Sequence, residues 1–220
     1  VAIWGRNGDK NAAAVAELEA LGADAAAFGC DVTDEAHVAE AFEATLARFG
    51  KIDSCFANAG GSGHRGPTHL AERSAWLETI DLNLMSVVQT WKPVTQHLLA
   101  RREGGRLVVT SSAAAMIGMA GAAGYSATKS AVCGLVRALA IELGQAGIRV
   151  NAILPGFIET EMSLDTPKEF QDACRRRSAI GRIGTLADME GIAAYLASDA
   201  SDFMTGQSLV LDGGHLIHPL

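Results

Sequence analysis

The stretch Arg106-Leu107-Val108-Val109-Thr110-Ser111-Ser112 has the pattern of a buried β-strand that ends in polar residues. Its apolar residues follow one another without alternation, which is typical of a parallel sheet covered on both faces. The next strand-like run, at residues 149–154, ends at Pro155-Gly156. A helix that reaches about Gln145 is predicted between the two runs. This strand–helix–strand order indicates parallel strands joined by a crossover helix.

The same alternation extends along the rest of the chain. Further strands are predicted at residues 1–4, 25–30, 52–57 and 208–211, with helical segments between most of them. Thr33 is placed to cap the helix that ends at Gly50. A long helix is predicted over about residues 74–102, and Pro93 should kink or interrupt it. Residues 159–184 are predicted to be irregular. The order as a whole predicts a mostly parallel sheet with helices on both faces.

The composition indicates one globular domain over residues 1–220. The chain is 49% hydrophobic and carries a net charge of -7, so neither a nucleic acid nor an anionic membrane is expected as a partner. Its dense basic run, Arg175-Arg176-Arg177, is interpreted as a solvated helix face. No apolar run reaches the roughly 20 residues of a membrane span. We expect no metal site at the paired histidines His215 and His218.

The cysteines give an expectation about the compartment. Cys30, Cys55, Cys133 and Cys174 are irregularly spaced and form no CxxC motif. Free thiols in a reducing compartment are the simplest interpretation, so a cytoplasmic location is expected.

Tyr125 and Lys129 stand four residues apart downstream of the two serines. Residues i and i+4 share one face of a helix, so the phenol and the ammonium can point into the same volume. A positive charge at about 4 Å favours a phenolate by on the order of 4 kcal/mol at an effective dielectric near 20. That magnitude is sufficient for a tyrosine that acts as general acid and base. The alternative is a core or interface tyrosine on an amphipathic helix.

Several predicted strands end in small or polar residues. Asn58-Ala59-Gly60, Ser111-Ser112 and Pro155-Gly156 each follow one. In parallel sheets, ligands bind at the carboxyl ends of the strands, so we expect these residues at one edge. Because side chains alternate along a strand, only one of the two serines can face a site there.

These residues together resemble the short-chain dehydrogenase/reductase family. The matching pieces, in the order of the family, are Asp31-Val32, Ala57-Asn58-Ala59-Gly60, Asn83, Ser112, Tyr125 with Lys129, Asn151, Pro155-Gly156 with Thr160, and Thr205-Gly206-Gln207 followed by Asp212-Gly213-Gly214. The resemblance implies a Rossmann-type, doubly wound α/β fold. It also implies an oxidoreductase that transfers hydride between NADP(H) or NAD(H) and a ketone or secondary alcohol.

The resemblance also implies roles for four side chains. Tyr125 would be the general acid and base, and Lys129 would support it and bind the nicotinamide ribose. Ser112, rather than its neighbour Ser111, would bind the substrate oxygen next to Tyr125. Asn83 would hold a water in a proton path to the lysine. The alternatives are that Lys129 is an ordinary exposed lysine and that Asn83 is a helix asparagine whose side chain is satisfied by backbone groups.

Cofactor contacts follow from the same resemblance. They are Arg6, Asp31, Val32, Asn58, Ala59, Gly60, Tyr125, Lys129, Pro155, Gly156, Ile158 and Thr160. Gly5 stands where NAD-preferring members carry an acid, and Arg6 suits the 2′-phosphate of NADP, so NADP is favoured over NAD. Asp31 is equally well interpreted as a turn residue, and Thr160 as a helix cap.

The chain departs from the family pattern at its beginning. Members start with a strand and a glycine-rich turn of TGxxxGxG type, and no such segment is present. That strand lies in the middle of a doubly wound sheet, so the strands at residues 1–4 and 52–57 would face each other across an empty slot. We therefore expect a strand–turn–helix unit of about 30 residues before Val1 in the natural protein.

Three further expectations concern the whole molecule. Small and apolar residues on the helices near residues 74–102 and 125–145 suit close packing, and the family commonly forms tetramers through them, so a homotetramer is expected. The partner is a small carbonyl or alcohol substrate that these residues do not identify. Two other classes of function stay open. The chain could be a non-catalytic, nucleotide-binding relative, or a lyase or epimerase in which the cofactor is only recycled.

Overall fold

The computed structural model describes residues 1–217, in which strands and helices alternate. The strands are β1 (Ala2–Gly5), β2 (Ala26–Gly29), β3 (Ser54–Ala57), β4 (Gly105–Thr110), β5 (Ile148–Pro155) and β6 (Ser208–Leu211). The helices are α1 (Gly8–Ala20), α2 (Glu35–Phe49), α3 (Arg73–Ile80), α4 (Ser86–Arg101), α5 (Ala123–Leu143), α6 (Glu161–Leu164), α7 (Lys168–Arg177) and α8 (Ala187–Ala197). Short α6 and α7 lie in the stretch that the sequence predicts to be irregular.

All strand pairs are parallel, which confirms the predicted fold class. β1 pairs with β2, and the other strands form a sheet in the order β3-β4-β5-β6. The central strands carry the uninterrupted apolar runs, and Leu107 of β4 and Val150 of β5 are each 0% exposed. Helices cover both faces of this sheet: α4 and α5 pack on one through Trp91 and Val136, and α8 packs on the other through Leu196.

The six strands form two sheets because β1 and β3 are not hydrogen-bonded to each other. Side-chain packing joins the sheets instead. The Trp4 ring of β1 packs against the same core cluster as Phe42 of α2 and the strands of the larger sheet. Its Nε1 donates to Thr45 Oγ1 at 2.8 Å. The two sheets therefore share one hydrophobic core.

The long helix predicted over residues 74–102 is irregular, but not at its proline. A single π-helical turn, Asp81–Met85, separates α3 from α4, and Pro93 lies inside α4. A proline costs an internal helix about 3 kcal/mol in isolation. Here Trp91, Val94 and Leu98 are all nearly fully buried on either side of it. Their packing offsets the cost, so α4 continues through Pro93.

The cap of α2 is also one residue away from its predicted position. Asp34, not Thr33, is the N-cap, and its carboxylate accepts from the backbone N–H of Ala36 at 2.8 Å. The Thr33 hydroxyl is occupied elsewhere, because it donates to Asp31 Oδ1 at 2.7 Å. Competition between neighbouring short polar side chains decides which of them caps the helix.

Charged and polar surface features complete the fold. The predicted basic run ends α7, where Arg175 pairs with Asp172 and the Arg177 side chain donates to the backbone oxygen of His215. Within residues 1–217, no three histidine, cysteine or acidic side chains are grouped as metal ligands would be. His218, the second histidine of the pair considered above, lies outside the described residues.

In the described part of the chain, none of the helices combines the length and the apolar character that crossing a membrane requires.

Candidate active site

The carboxyl ends of β3, β4 and β5 lie side by side. Ala57 of β3 is in register with Val109 of β4, and Thr110 of β4 with Ile153 of β5. The Thr110 hydroxyl donates to Asn58 Oδ1 at 2.7 Å, which joins the ends of the first two strands. The strand ends that the sequence singles out therefore meet at one edge of the sheet.

Lys129 of α5 is buried at this edge. Only 5% of the residue is exposed, and its Nζ donates to the backbone oxygen of Thr110 at 2.8 Å. Burial lowers the pKa of Lys129 from 10.5 to about 8, and the thiol of Cys133 opposes this shift. The amine lies 5.8 Å from the centre of the Tyr125 ring. The structure thus places the Lys129 amine near the Tyr125 ring.

The two serines after β4 make different contacts. Ser111 is 3% exposed, and its hydroxyl donates to the backbone oxygen of Lys129 at 2.7 Å. Ser112 is only half-buried, and its Oγ accepts from the Ala114 N–H at 3.1 Å. The Ser112 hydroxyl proton has no acceptor among the described residues. Ser112 therefore has a hydroxyl available for a ligand, whereas the Ser111 hydroxyl is used inside the protein.

Asn83 is held in the π-helical turn and is 1% exposed. Its Nδ2 donates to the Thr79 backbone oxygen at 3.1 Å, and its Oδ1 accepts from the Gly61 N–H at 3.1 Å. A Cβ atom on Gly60 would lie 2.9 Å from Asn83 Oδ1 and 3.3 Å from Lys129 Nζ. The backbone at Gly60 is therefore packed between Asn83 and Lys129. Backbone groups thus use one N–H and one lone pair of the Asn83 amide, and the second lone pair of its Oδ1 is left over.

The proposed adenosine contacts lie at the ends of β1 and β2. Asp31 Oδ1 accepts from the Thr33 backbone N–H at 3.0 Å, and these Thr33 hydrogen bonds are the largest cause of a lowered pKa for Asp31. Arg6 Nη1 lies 3.6 Å from Asp31 Oδ2, and the Arg6 side chain is 71% exposed. Val32 is half-buried. Asp31 is thus a turn residue, while the Arg6 guanidinium is accessible beside it.

The residues after β5 enter a crowded turn. A Cβ atom on Gly156 would lie 2.7 Å from the Asp212 backbone, so this position requires glycine. Ile158 forms an isolated bridge with Gly184. Thr160 is the N-cap of α6, and its Oγ1 accepts from the Ser163 N–H at 3.3 Å. Thr160 is therefore a helix cap, as one of its two interpretations predicts.

The edge fits a dinucleotide cofactor. An ammonium has three donors, and Lys129 uses one of them within the described residues. The other two are available for ribose hydroxyls. Asn58, Ala59 and Gly60 are exposed at the end of β3, where the small residues let a ligand approach the backbone closely.

Two threonines that no motif marks are important for this geometry. Thr110 fixes Lys129 through its backbone and Asn58 through its side chain. Thr79 is 1% exposed, binds Asn83 through its carbonyl, and accepts from the His64 N–H through its hydroxyl. The position of Thr110 at a strand end is a signal that the sequence offers. Thr79 gives none, because its contact with His64 joins two segments that are separate in sequence.

Comparisons with known proteins show which family the chain resembles. The family model described as enoyl-(acyl carrier protein) reductase matches residues 1–215. A cis-4-hydroxycyclohexanecarboxylate dehydrogenase from Sinomonas cyclohexanicum is 35% identical over 185 residues, which is 84% of this chain and 74% of that protein.

Solved structures give the same result. A gluconate 5-dehydrogenase from Burkholderia cenocepacia, in complex with NADP and tartrate, superposes with a TM-score of 0.90 at 33% identity, over 98% of this chain and 84% of that one. A 7α-hydroxysteroid dehydrogenase complexed with NADH and 7-oxo glycochenodeoxycholic acid gives 0.92 at 29% identity, over 97% and 83%.

The fold, the strand-edge site and these relatives lead to one conclusion. The chain is an NAD(P)-dependent oxidoreductase that acts on CH–OH and C=O groups, and it belongs to the short-chain dehydrogenase/reductase family.

Proposed function

We propose that Tyr125 exchanges a proton with the substrate oxygen during interconversion of a ketone and a secondary alcohol. The observation that carries this proposal is the buried Lys129 amine, 5.8 Å from the Tyr125 ring centre. When bound, the nicotinamide cofactor supplies or accepts the hydride. Tyr125 donates its proton to the oxygen in reduction and removes the alcohol proton in oxidation. The Ser112 hydroxyl donates to the same oxygen and keeps it next to the phenol.

Lys129 and Asn83 support this proton exchange. The Lys129 charge stabilises the ionised phenol that remains after proton donation. Its two unused N–H groups bind the nicotinamide ribose. The spare lone pair of Asn83 Oδ1 holds a water that leads protons to the lysine, because both groups border the backbone of Gly60.

We propose NADP as the preferred cofactor. The exposed Arg6 guanidinium lies at the end of β1, where it can pair with a 2′-phosphate. The adenosine half of the cofactor would lie against Asp31, Val32, Asn58, Ala59 and Gly60. Pro155, Gly156, Ile158 and Thr160 hold the nicotinamide half, and Thr160 gives up part of its cap to do so. The relatives include a complex with NADP and one with NADH, so cofactor preference needs its own measurement.

The proposal extends to the form of the protein in the cell. A single domain is inferred from the shared core. Exposed apolar residues, including Met85 (38%), Val88 (37%) and Ile141 (84%), lie in or beside the long helices and support a homotetramer. Cys30, Cys55, Cys133 and Cys174 are all free, which supports a cytoplasmic location. Light scattering during size-exclusion chromatography tests the tetramer, and a monomer at micromolar concentration would contradict it.

A carbonyl-substrate screen with NADPH depletion as the readout tests the function. For a ketone that is reduced, Tyr125→Phe should lower kcat by about 10²-fold or more while circular dichroism stays unchanged. The matched control is Tyr195→Phe, because Tyr195 is the second of two tyrosines and lies in α8, where it packs against the cluster formed by Val108, Ile153 and Leu196. If Tyr125→Phe kept kcat within a few fold of the wild type, the proton assignment would be wrong. The ratio of kcat/KM for NADPH and NADH measures cofactor preference.

A further inference from the structure

A glycine-rich loop, residues 60–66, leaves β3 and is fixed at both sides of Arg65. The His64 N–H donates to Thr79 Oγ1 at 3.1 Å, and the Gly66 N–H donates to the Gly121 backbone oxygen at 2.8 Å. A Cβ atom on Gly63 would lie 2.4 Å from the Thr79 side chain, so the loop is tightly packed there. The backbone of Arg65 is therefore held in place although its side chain is exposed.

This loop reaches the substrate side of the site. Gly121 lies in the segment between Ser112 and Tyr125. Thr79 also connects the loop to the beginning of α5, because a Cβ atom on Gly124 would lie 3.4 Å from the Thr79 methyl group. One threonine thus contacts both the residue before Arg65 and the residue before Tyr125. The backbone on either side of Arg65 is therefore linked, through Thr79 and Gly121, to the segment that leads into Tyr125.

The Arg65 guanidinium is available for a ligand. Its Nη1 lies 3.3 Å from the sulfur of Met119, which is a weak acceptor. Within residues 1–217, no carboxylate lies within ion-pair distance of it. Guanidinium groups bind carboxylates through two parallel N–H···O bonds, and this geometry orients the bound molecule. A solvated surface arginine is the alternative, but it would not require a backbone fixed on both sides.

We propose that Arg65 binds a carboxylate on the substrate, so that the substrates are keto acids and the corresponding hydroxy acids. The inference rests on the proposed function, since the carboxylate is recognised while the carbonyl oxygen lies at Tyr125 and Ser112. Arg65 is then a specificity-determining residue: it sets which ketones bind productively and takes no part in proton exchange.

The test compares 4-oxocyclohexanecarboxylate with its methyl ester, both reduced with NADPH by the full natural chain. The wild type should prefer the acid. Arg65→Gln should lower kcat/KM for the acid by about 10–100-fold, mainly through KM, because a hydrogen bond between charged groups is lost. The same substitution should change kcat/KM for the ester by less than about 2-fold. For the acid, kcat/KM of Arg65→Lys should lie between the values of the wild type and Arg65→Gln. The matched control is Arg73→Gln, an exposed arginine at the start of α3.

The outcomes separate this inference from the function on which it rests. Equal losses for acid and ester in Arg65→Gln, or a wild type that prefers the ester, overturn the role of Arg65 and leave the reductase activity standing. The role of Arg65 is also overturned, and the reductase activity left standing, if the wild type reduces only ketones that lack a carboxylate. Absence of reduction of any ketone overturns both.

Discussion

Replacing Lys129 with methionine tests the central feature of the site, which is a charged amine held out of water. Lys129 is 5% exposed, and burial lowers its pKa from 10.5 to about 8. Methionine has a similar length and no charge, so Lys129→Met removes the titration with little change in volume. The variant also loses the hydrogen bond to the Thr110 carbonyl. Both the ammonium and the neutral amine can donate this hydrogen bond, whereas only the ammonium carries the desolvation cost of a buried charge.

The sign and size of the pH dependence follow from linkage. Between pH 8 and 10.5 the native lysine has released its proton, while the unfolded lysine still holds one. Because the unfolded state binds more protons there, the free energy of unfolding rises with pH. Below pH 8 the burial cost is fully present. The difference between 10.5 and about 8, at 1.36 kcal/mol per pKa unit, is about 3 kcal/mol.

Urea unfolding of the cofactor-free protein at several pH values from 7 to 10.5 measures this effect. The free energy of unfolding of the wild type, minus that of Lys129→Met, should rise by about 3 kcal/mol over the range. The matched control is Lys92→Met, since the Lys92 side chain is 64% exposed. The free energy of unfolding of the wild type, minus that of Lys92→Met, should stay the same over this range of pH. A level difference for Lys129→Met as well would refute the reasoning, because it would mean that the native amine is hydrated.

Three further substitutions test other parts of the site. Gly156→Ala should lower the free energy of unfolding, measured in urea, by about 1–3 kcal/mol through overpacking. Gly191 lies in a helix with open space around it, so Gly191→Ala should raise the free energy of unfolding by about 0.5–1 kcal/mol. Equal effects of the two substitutions would contradict the crowding at Gly156. Ser111→Ala should cost about 1–3 kcal/mol of stability and keep kcat, whereas Ser112→Ala should lower kcat by about 10²–10³-fold; the reverse pattern would exchange their roles. Arg6→Gln should lower kcat/KM with NADPH by about 10–100-fold and leave NADH nearly unchanged, and equal losses for both cofactors would argue against a 2′-phosphate contact.

The sheet could be predicted from the sequence because its central strands are buried on both faces. The apolar run at residues 106–110 became β4 (Gly105–Thr110), and the run at 149–154 became β5 (Ile148–Pro155). Parallel order then places every strand's carboxyl end at one edge. The gathering of Asn58, Ser112 and Pro155 is therefore a consequence of topology, and no side-chain contact had to be known in advance.

Local irregularities could not be predicted, because they depend on contacts between distant residues. Pro93 is the strongest helix breaker in α4, yet the helix departs from α-geometry at Asp81–Met85 instead. The turn carries Asn83, whose amide binds the Thr79 carbonyl one helical turn earlier and the Gly61 N–H in the distant loop after β3. Helix propensity alone contains no information about such bonds, and it places the irregularity at the proline.

Lys129 shows why the spacing of a motif is not sufficient to define a site. Spacing of four residues puts Tyr125 and Lys129 on one helix face, and this holds for any helix with that spacing. In this protein the direction of the amine is fixed by β4, since Nζ binds the Thr110 carbonyl and the Ser111 hydroxyl binds the carbonyl of Lys129 itself. The end of β4 and the helix α5 are thus held together by two hydrogen bonds, one donated by each segment. A lysine on an isolated helix would rotate freely into water, where its charge has little effect on a neighbouring phenol. The chemistry therefore depends on the junction between β4 and α5 as much as on the pair of side chains.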